Sequence, residues 1–363
     1  MRHQARPKMR AMPMALLLLA VVLLPGGGFV CPALHRCWVT KAARSLRGAC
    51  GAAVAAALVL LAAPAYAVDG RRVFSVGDLH GDYESTVTIL RSLGVMGSDG
   101  GWTGGNSILV QTGDMVDRGD ESGPIFRALF RLQDEAPRAG GKVFLLMGNH
   151  ELMNLQGDFR YATPKDTASL LEGGTESRPP GLAERAEVFS PTGWLGKEVR
   201  SRLRAVALVG PEEGLERSVL FVHAGLLPGL VPDSDSSGKA AESRLNSALG
   251  ALVNAKLTAD EPLLGEDGPM WTRRLALGPE PAVCREVDET LQAFGASRMV
   301  VGHTAQADGK IHERCGGRFV LGDSLISRFY TGTAHPSAIE FFPDGSATAL
   351  YPGRPSSPLM SLP

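Results

Sequence analysis

No apolar run in this sequence is long enough to cross a membrane as a helix. The two most apolar stretches, residues 14–24 and 52–63, fall short of the roughly twenty residues that a spanning helix needs. Cysteine is scarce: three of the five lie within the first 50 residues, and only Cys284 and Cys315 follow. These two could pair in an oxidising compartment or remain free thiols. No internal repeat is present, and the chain after its N-terminal segment is interpreted as one domain.

Acidic residues are absent from the first 68 positions, which carry eight Lys or Arg. Removing those eight from the total of 37 leaves 29 basic against 38 acidic residues after Val68, a formal charge of −9. This surplus of negative charge argues against nucleic acid as the main partner.

The acid-free segment, residues 1–67, is predicted to be a cleaved targeting leader. Basic residues precede each apolar stretch, and Pro64-Ala65-Tyr66-Ala67 has the small-x-small form of a signal-peptidase site. Two export signals in series resemble the targeting sequences of proteins that are imported into a complex plastid, with a last step into the thylakoid lumen. The alternatives are a single secretory signal behind a misassigned start codon, and membrane anchoring. Cleavage after Ala67 would leave no stable membrane anchor.

Three short apolar runs each end in a glycine that is followed by polar residues. The three junctions are Gly77-Asp78-Leu79-His80, Gly113-Asp114 and Gly148-Asn149-His150. Each run is predicted to be a buried strand that delivers side chains at its C-terminal end, the edge at which open α/β sheets bind ligands. Helical spacing over residues 83–93 and 122–136 predicts crossover helices between these strands. A parallel sheet follows from that order.

The rest of the chain continues to alternate between helix and strand patterns. Helices are predicted over residues 183–189, 194–204, 242–257 and 281–294, and strands over 206–209, 218–223 and 299–301. Residues 318–350 are predicted to form β hairpins. Residues 152–181 break the rhythm and are interpreted as an exposed insertion that forms a wall of the site.

Ligand-type residues collect at the predicted strand ends: Asp78, His80, Asp114, Asn149, His223 and His303. This mixed oxygen and nitrogen set suits manganese, iron(II) or zinc, and suits calcium poorly. Six ligands are too many for one catalytic ion that must keep open positions. We therefore expect two divalent ions, bridged by the carboxylate of Asp114.

These residues resemble a known family. The blocks at residues 77–81, 113–119 and 148–151 resemble the three signatures of the phosphoprotein phosphatases, a branch of the calcineurin-like metallophosphoesterases. The resemblance extends through His223-Ala224-Gly225 and Gly302-His303-Thr304 and covers most of residues 72–351. Residues 148–161 and 268–273 are most similar to the Shewanella-like protein phosphatases.

The resemblance implies an α/β fold, a calcineurin-like β-sandwich flanked by helices with a dimetal site at the C-terminal ends of its strands. This domain would span residues 68–355 and be followed by a short tail, 356–363. The chain departs from the eukaryotic serine/threonine enzymes in two places. Ala224 stands where they usually carry glycine, and residues 322–327 replace their Ser-Ala-Pro-Asn-Tyr block.

The resemblance also assigns ligands to the two metals. The first metal would be held by Asp78, His80 and Asp114, and the second by Asp114, Asn149, His223 and His303. The nucleophile would be a metal-bridging hydroxide, so no phospho-enzyme is expected. Glu151 is expected to support the third loop structurally.

The same resemblance assigns residues to acid catalysis and to phosphate binding. His150 would be the general acid, oriented by Asp117. Arg118 would bind two phosphate oxygens, Asn149 would donate its amide to phosphate, and Arg273 is a second phosphate-binding candidate.

The predicted function is hydrolysis of phosphomonoesters, with phosphorylated proteins as partners. The alternatives are a diadenosine polyphosphate hydrolase, with the same metal chemistry behind different walls, and an inactive module that binds phospho-ligands. The inactive module is disfavoured because every metal position is intact, as are His150 and Asp117. The preference between phosphotyrosine and phosphoserine or phosphothreonine is left open, as is the oligomeric state.

Overall fold

The computed structural model describes residues 71–171, 181–231, 237–255, 257 and 260–362. The predicted leader and its cleavage site lie outside these residues, so the targeting route stays a prediction. Among the described helices, none is both long and apolar enough to span a bilayer. Cys284 and Cys315 form a disulfide, with Cα atoms 5.2 Å apart. Of the two states that the sequence left open, the structure therefore has the paired one.

The first sheet has six strands in the order β11-β10-β9-β1-β2-β3. Its strands are β1 (Val73–Val76), β2 (Ile108–Gln111), β3 (Lys142–Leu145), β9 (Ala338–Phe341), β10 (Ala347–Leu350) and β11 (Ser357–Pro358). Strands β1, β2 and β3 are parallel, as predicted, and β9 pairs antiparallel with β1. The parallel order brings the three motif-bearing strand ends to one edge.

The second sheet has five strands in the order β4-β5-β6-β8-β7. They are β4 (Val206–Val209), β5 (Ser218–Val222), β6 (Ala296–Val301), β7 (His312–Arg314) and β8 (Phe319–Leu321). Strands β5, β6 and β8 are parallel, and β4 and β7 are antiparallel edges.

The two sheets pack face to face. Alternate side chains of β2 are buried on opposite faces of the strand. Ile108 and Val110 pack in a cluster with the second sheet, whereas Leu109 packs in the core under the helices. The rings of Phe221 and Phe341 meet edge to face across the sheets, with centroids 5.6 Å apart. This alternation buries both faces of the strand.

Helices cover both outer faces. They are α1 (Tyr83–Ser92), α2 (Ser122–Glu135), α3 (Asn149–Gln156), α4 (Pro164–Leu170), α5 (Leu182–Phe189), α6 (Trp194–Arg202), α7 (Gly238–Asn254), α8 (Arg274–Leu277) and α9 (Glu280–Phe294). Short 3₁₀ turns occur at Ala136–Ala139, Pro211–Glu213 and Pro228–Leu230. Helices α7 and α9 pack on β4 and β6. The predicted sandwich flanked by helices is confirmed.

The interpretation of residues 152–181 as an exposed insertion is wrong for two stretches of its described part, whereas the expectation that it forms a wall of the site is confirmed, because part of the segment lines the same pocket as Asp114. Helix α3 begins within the third motif and runs to residue 156, and α4 follows at Pro164. Thr163 caps α4 by accepting from the backbone of Asp166, and Pro164 occupies the first turn. Asp166 in turn accepts from the backbone of Ser122 at 2.8 Å, which holds α4 against α2. Residues 172–180 lie outside the described part of the chain.

Candidate metal centre and phosphate pocket

The six predicted metal ligands come together at the carboxyl ends of strands from both sheets. Asp78 and His80 follow β1, Asp114 follows β2, Asn149 opens α3 after β3, His223 follows β5 and His303 follows β6. Each is at most 6% exposed. Residues 225 positions apart in sequence thereby share one buried cluster.

Asp114 lies at the middle of the cluster. Its Oδ2 is 3.6 Å from Nε2 of His80 and 3.4 Å from Nε2 of His223, and its Oδ1 accepts from the backbone of His150 at 2.9 Å. Asp78 completes the side of His80, with its Oδ2 3.9 Å from the same imidazole nitrogen. One carboxylate thus faces both halves of the predicted site.

Each of the three histidines uses one ring nitrogen to bind a backbone carbonyl. The pairs are His80 Nδ1 with Val116 at 3.1 Å, His223 Nδ1 with Thr112 at 2.8 Å, and His303 Nε2 with Trp271 at 3.0 Å. A carbonyl can only accept, so that nitrogen must carry the proton. When the ring is neutral, its other nitrogen presents a lone pair, which is the arrangement metal-ligating histidines use. Burial opposes protonation of His223, but Asp114 outweighs it and raises the pKa of that ring, so a metal ion would displace a proton there.

These lone pairs converge with oxygen acceptors. Nε2 of His223 lies 3.1 Å from Oδ1 of Asn149 and 3.4 Å from Oδ2 of Asp114. When His223 is neutral, three acceptors meet there without a donor, which is unfavourable in a buried site unless a cation lies between them. The residues present therefore fit divalent ions.

Burial sets the electrostatics of the cluster. It raises the pKa of Asp78 well above its usual range, and the nearby carboxylates of Asp323 and Asp114 add to that effect. It lowers the pKa of His80 to about 3 and that of His303 to about 2, so both rings are neutral near pH 7. Burial also opposes ionisation of Asp114, but His223 and His150 outweigh it and hold the pKa well below the usual value. Neutral imidazoles and a central carboxylate are the forms that bind metal.

Backbone strain is concentrated at this site. Seven non-glycine residues of the described chain have positive φ, and five belong to the site: His80, Asp114, Asp117, Arg118 and His303. Such conformations persist only where the surrounding structure holds them, and they cluster at functional sites.

The glycines of the motifs act mainly by leaving space rather than by unusual φ. Among Gly77, Gly113, Gly148 and Gly302, Gly113 alone has a positive φ, at 101°. A Cβ on Gly302 would lie 2.1 Å from Oδ1 of Asp78, and one on Gly77 would lie 2.6 Å from the carbonyl oxygen of Gly322. Glycine is therefore required at these two positions because the backbone and the Asp78 carboxylate approach too closely for a side chain.

Glu151 supports the loops, in agreement with the expectation. Its carboxylate accepts from the backbone N–H groups of Asp114, Met115 and Gly148 at 2.9, 2.7 and 2.8 Å. Burial raises its pKa to about 7. The residue ties the second motif to the third.

A pocket of about 260 Å³ opens beside the cluster and is lined by three arginines, Arg118, Arg160 and Arg273. The guanidinium of Arg118 is stacked between the rings of Tyr161 and Tyr330, 4.5 and 4.6 Å from their centroids. Its buried Nε makes no hydrogen bond to any described residue. Arg273 lines the same pocket, and its only hydrogen bond to a described residue is a long one, 3.4 Å, to the carbonyl of His303. The pocket therefore offers free cationic donors to an anion.

His150 lines this pocket next to the arginines. Its Nδ1 is 2.8 Å from Oδ2 of Asp117, and both side chains are buried. Burial opposes protonation of His150, but Asp114 and Asp117 outweigh it and raise the pKa of the ring. The imidazole is thus prepared to hold a proton at the pocket wall.

Several site residues were missed at the sequence level. The hydroxyl of Tyr330 lies 2.7 Å from Nε2 of His80, Asp323 is buried near Asp78, and Asn154 and Arg185 bind Asp117. Asp323 follows Gly322 at the end of the apolar run 319–321, so it repeats the pattern of the other motifs and could have been found from the sequence. The other three lie outside such junctions, and no local signal marked them. A larger cavity, about 690 Å³, lies where β3 begins, at Lys142, and contains none of the predicted site residues.

Comparison with known proteins agrees with this geometry. The family profile described as calcineurin-like phosphoesterase matches residues 71–307. Shewanella-like protein phosphatase 1 of Plasmodium berghei is 30% identical, over 74% of this chain and 71% of that protein. Shewanella-like protein phosphatase 2 of Arabidopsis thaliana is 28% identical, over 71% of this chain and 72% of that protein.

Structural similarity to a solved phosphatase leads to the same family. A mutant of a cold-active protein tyrosine phosphatase superposes with a TM-score of 0.64 at 26% identity, over 80% of each chain. The matched family profile covers all six clustered ligands. This chain therefore belongs to the calcineurin-like phosphoesterases and is a phosphatase of the Shewanella-like group.

Proposed function

We propose that the protein is a two-metal phosphatase that hydrolyses phosphomonoesters on phosphorylated proteins. The observation that carries this is the convergence of metal-type lone pairs on Asp114, directly beside a pocket that offers unpaired arginine donors. A binding module would need only the second of these features. Hydrolysis needs both.

The first ion would be held by Asp78, His80 and Asp114. The second would be held by Asp114, Asn149, His223 and His303. The mixed oxygen and nitrogen ligands favour manganese, iron(II) or zinc. Such a pair of ions supplies an activated water and neutralises the developing charge on the phosphoryl group.

Arg118 orients the phosphate. Its guanidinium can give two parallel hydrogen bonds to phosphate oxygens, and the rings of Tyr161 and Tyr330 fix its plane. The guanidinium of Arg273 contributes a second positive charge to the same pocket, and the side-chain amide of Asn149 donates a further hydrogen bond to the phosphate. The substrate is held with its ester oxygen towards His150.

His150 is the general acid. Its Nδ1 proton is held by Asp117, so Nε2 is the nitrogen that gives a proton to the leaving oxygen as the bond to phosphorus breaks. The carboxylate of Asp117 keeps the ring in the required orientation and stabilises its protonated form.

Phosphorylated proteins are proposed as substrates because the relatives from Plasmodium and Arabidopsis are named protein phosphatases. The superposed cold-active enzyme is named a protein tyrosine phosphatase. Both phosphotyrosine and phosphoserine or phosphothreonine peptides therefore belong in the first substrate panel.

The test is phosphate release by the manganese-loaded protein from these peptides and from diadenosine tetraphosphate. We expect turnover of a phosphopeptide, and a fall on the order of 10²-fold or more in Arg118→Met. The exposed Arg138→Met is the matched control, with an unchanged rate. Preference for the dinucleotide would move the function to nucleotide hydrolysis. Phosphate binding without turnover of any substrate would favour the inactive module.

A further inference from the structure

One arginine is completely buried behind the catalytic pocket. Arg185, in α5, has no exposed surface, and its guanidinium lies 5.4 Å from the ring centroid of Phe189. Taking a guanidinium out of water is unfavourable unless carboxylates and hydrogen bonds compensate it. Its contacts therefore decide why the fold tolerates it.

Arg185 binds two buried carboxylates. Nη2 donates to Oδ1 of Asp117 at 2.6 Å, and Nη1 donates to Oδ2 of Asp166 at 3.0 Å and to the hydroxyl of Thr167 at 3.3 Å. Nε donates to the amide oxygen of Asn154 at 2.7 Å. With contacts on all three nitrogens, the plane of the guanidinium is fixed.

These contacts divide the two oxygens of Asp117 between Arg185 and His150. Oδ1 accepts from Arg185, whereas Oδ2 lies 2.8 Å from Nδ1 of His150. The Asn154 amide closes the ring, because its nitrogen donates to Oδ2 of Asp117 at 3.0 Å and its oxygen accepts from Arg185. Rotation of the Asp117 carboxylate would break the three hydrogen bonds that it makes with Arg185, His150 and Asn154.

Asp117 needs this restraint because its backbone is strained. Asp117 and Arg118 have φ values of 71° and 66°, two consecutive residues in the left-handed region. Side chains with a Cβ adopt this conformation only where the surroundings impose it. The hydrogen bonds that Arg185 and Asn154 donate to the Asp117 side chain are one such constraint.

We propose that Arg185 is a positioning residue for phosphate ester cleavage, which holds Asp117 so that His150 keeps its proton donor aimed at the leaving oxygen. The inference rests on the general-acid role proposed for His150. In that step a water molecule gives up a proton to solvent and its oxygen forms a bond to phosphorus. The bond between phosphorus and the ester oxygen breaks, its electron pair goes to the ester oxygen, and the proton on Nε2 of His150 moves to that oxygen. Arg185 touches neither substrate nor proton and acts only through Asp117.

The proposal gives the segment after the third motif a role beyond that of a wall. Helix α5 supplies Arg185, which binds the carboxylate of Asp117, and helix α4 supplies Asp166, which binds the same guanidinium. Without a second carboxylate, a single buried cation would be drawn to Asp117 alone. Asp166 balances it and fixes where the guanidinium lies.

The test compares two aryl phosphates whose leaving groups differ in their need for a proton. The phenolate of phenyl phosphate is a poor leaving group and needs a proton, whereas the 2,4-dinitrophenolate of 2,4-dinitrophenyl phosphate leaves without protonation. General acids typically contribute about 10²–10⁴-fold. In the manganese-loaded full chain with Arg185→Met, we expect kcat to fall on the order of 10²-fold for phenyl phosphate and no more than about threefold for the dinitrophenyl ester, with KM for each within about twofold.

Arg298→Met is the matched control. Arg298 is also buried, at 1% exposure, but it binds the carbonyl of Met360 and has no contact with Asp117. Its loss should destabilise the fold and leave the ratio of the two kcat values unchanged. Equal losses for both esters in Arg185→Met, or no loss, would overturn the proposal and identify Arg185 as a purely structural residue.

Two further variants keep the test decisive if Arg185→Met folds poorly. Asp166→Asn weakens the clamp without altering Asp117, and should shift the kcat ratio in the same direction by a smaller factor. The double variant Asp117→Asn with Arg185→Met should lose no more kcat on phenyl phosphate than Asp117→Asn alone; additive losses would contradict action through Asp117. A wild-type protein that cleaves neither ester would refute the proposed function itself.

Discussion

Gly148 packs so closely on Asp114 that a Cβ on the glycine would lie 2.1 Å from Oδ1 of the aspartate and 2.4 Å from its backbone nitrogen. The carboxylate cannot retreat, because Oδ1 already accepts from the backbone of His150. The position of the central ligand is therefore set by the absence of a side chain at residue 148.

Substitution of Gly148 by Ala is expected to displace Asp114 and to weaken metal binding by about 10–100-fold. Metal retained after dialysis, read by elemental analysis, measures this directly. Gly250→Ala is the control, since it lies within α7 with no described atom within 4 Å of the added Cβ. It should gain about 0.5–1 kcal/mol of stability and keep its metal. A Gly148→Ala protein with full metal content would contradict the packing argument.

Glu151→Gln is expected to lower the free energy of unfolding by about 1–3 kcal/mol. The carboxylate accepts from three backbone N–H groups, and an amide offers one oxygen in place of two. Urea unfolding of the metal-free protein measures the loss. The control is Glu187→Gln, at an exposed position of helix α5, which should change the free energy of unfolding by less than about 0.5 kcal/mol. Equal small effects at both positions would show that Glu151 does not brace the loops.

Removal of the disulfide by Cys284→Ser with Cys315→Ser is expected to cost about 2–4 kcal/mol of stability. The bond joins α9 to the residue after β7 across a separation of 31 residues, so it restricts the unfolded chain. Thermal unfolding with and without reductant provides the measurement. Reductant should lower the midpoint of the wild type towards that of the variant and leave the variant unchanged. No response of the wild type to reductant would exclude a stabilising bond.

The stability contributed by Glu213 is expected to depend on pH. Burial opposes its charge, but the backbone N–H of Gly210 and the ammonium of Lys239 outweigh burial and hold its pKa below the usual value. Its contribution is therefore present above the unfolded-state pKa and is lost as the pH falls through the folded-state pKa. Glu213→Gln should be less stable than wild type by about 1 kcal/mol at pH 7, with the gap closing below about pH 4. A gap that is constant with pH would rule out the ionic contribution.

Local patterns were sufficient for most of the strands and helices and for the candidate metal ligands that the structure brings together. Apolar runs that end in glycine identified β1, β2 and β3, and the parallel order of these strands explains why Asp78 and Asp114 meet. Helix boundaries shifted by a few residues where capping decides them: α7 begins at Gly238 because the side chain of Ser237 accepts from the backbone of Ala240. Periodicity fixes the centre of a helix better than its ends.

The support of the site could not be read from local patterns. Arg185 and Tyr330 reach Asp117 and His80 from positions 68 and 250 residues away in sequence, and nothing in their neighbourhoods signals this. The left-handed backbone at Asp117 is likewise imposed by tertiary contacts rather than by residue type. Local patterns do not predict the helix at residues 164–170, because it depends on the Thr163 cap and on the buried carboxylate of Asp166.

The most direct test of the central claim is to measure metal content and phosphate release together as metal-stripped protein is titrated with Mn²⁺, for the wild type and for Asp114→Asn. The asparagine keeps the hydrogen bond to the backbone of His150, so folding is retained while the bridging charge is lost. We expect two ions per wild-type chain with activity that rises as they bind, and loss of both metal loading and turnover in the variant. Full phosphate release by the stripped wild type, or by Asp114→Asn, would contradict it.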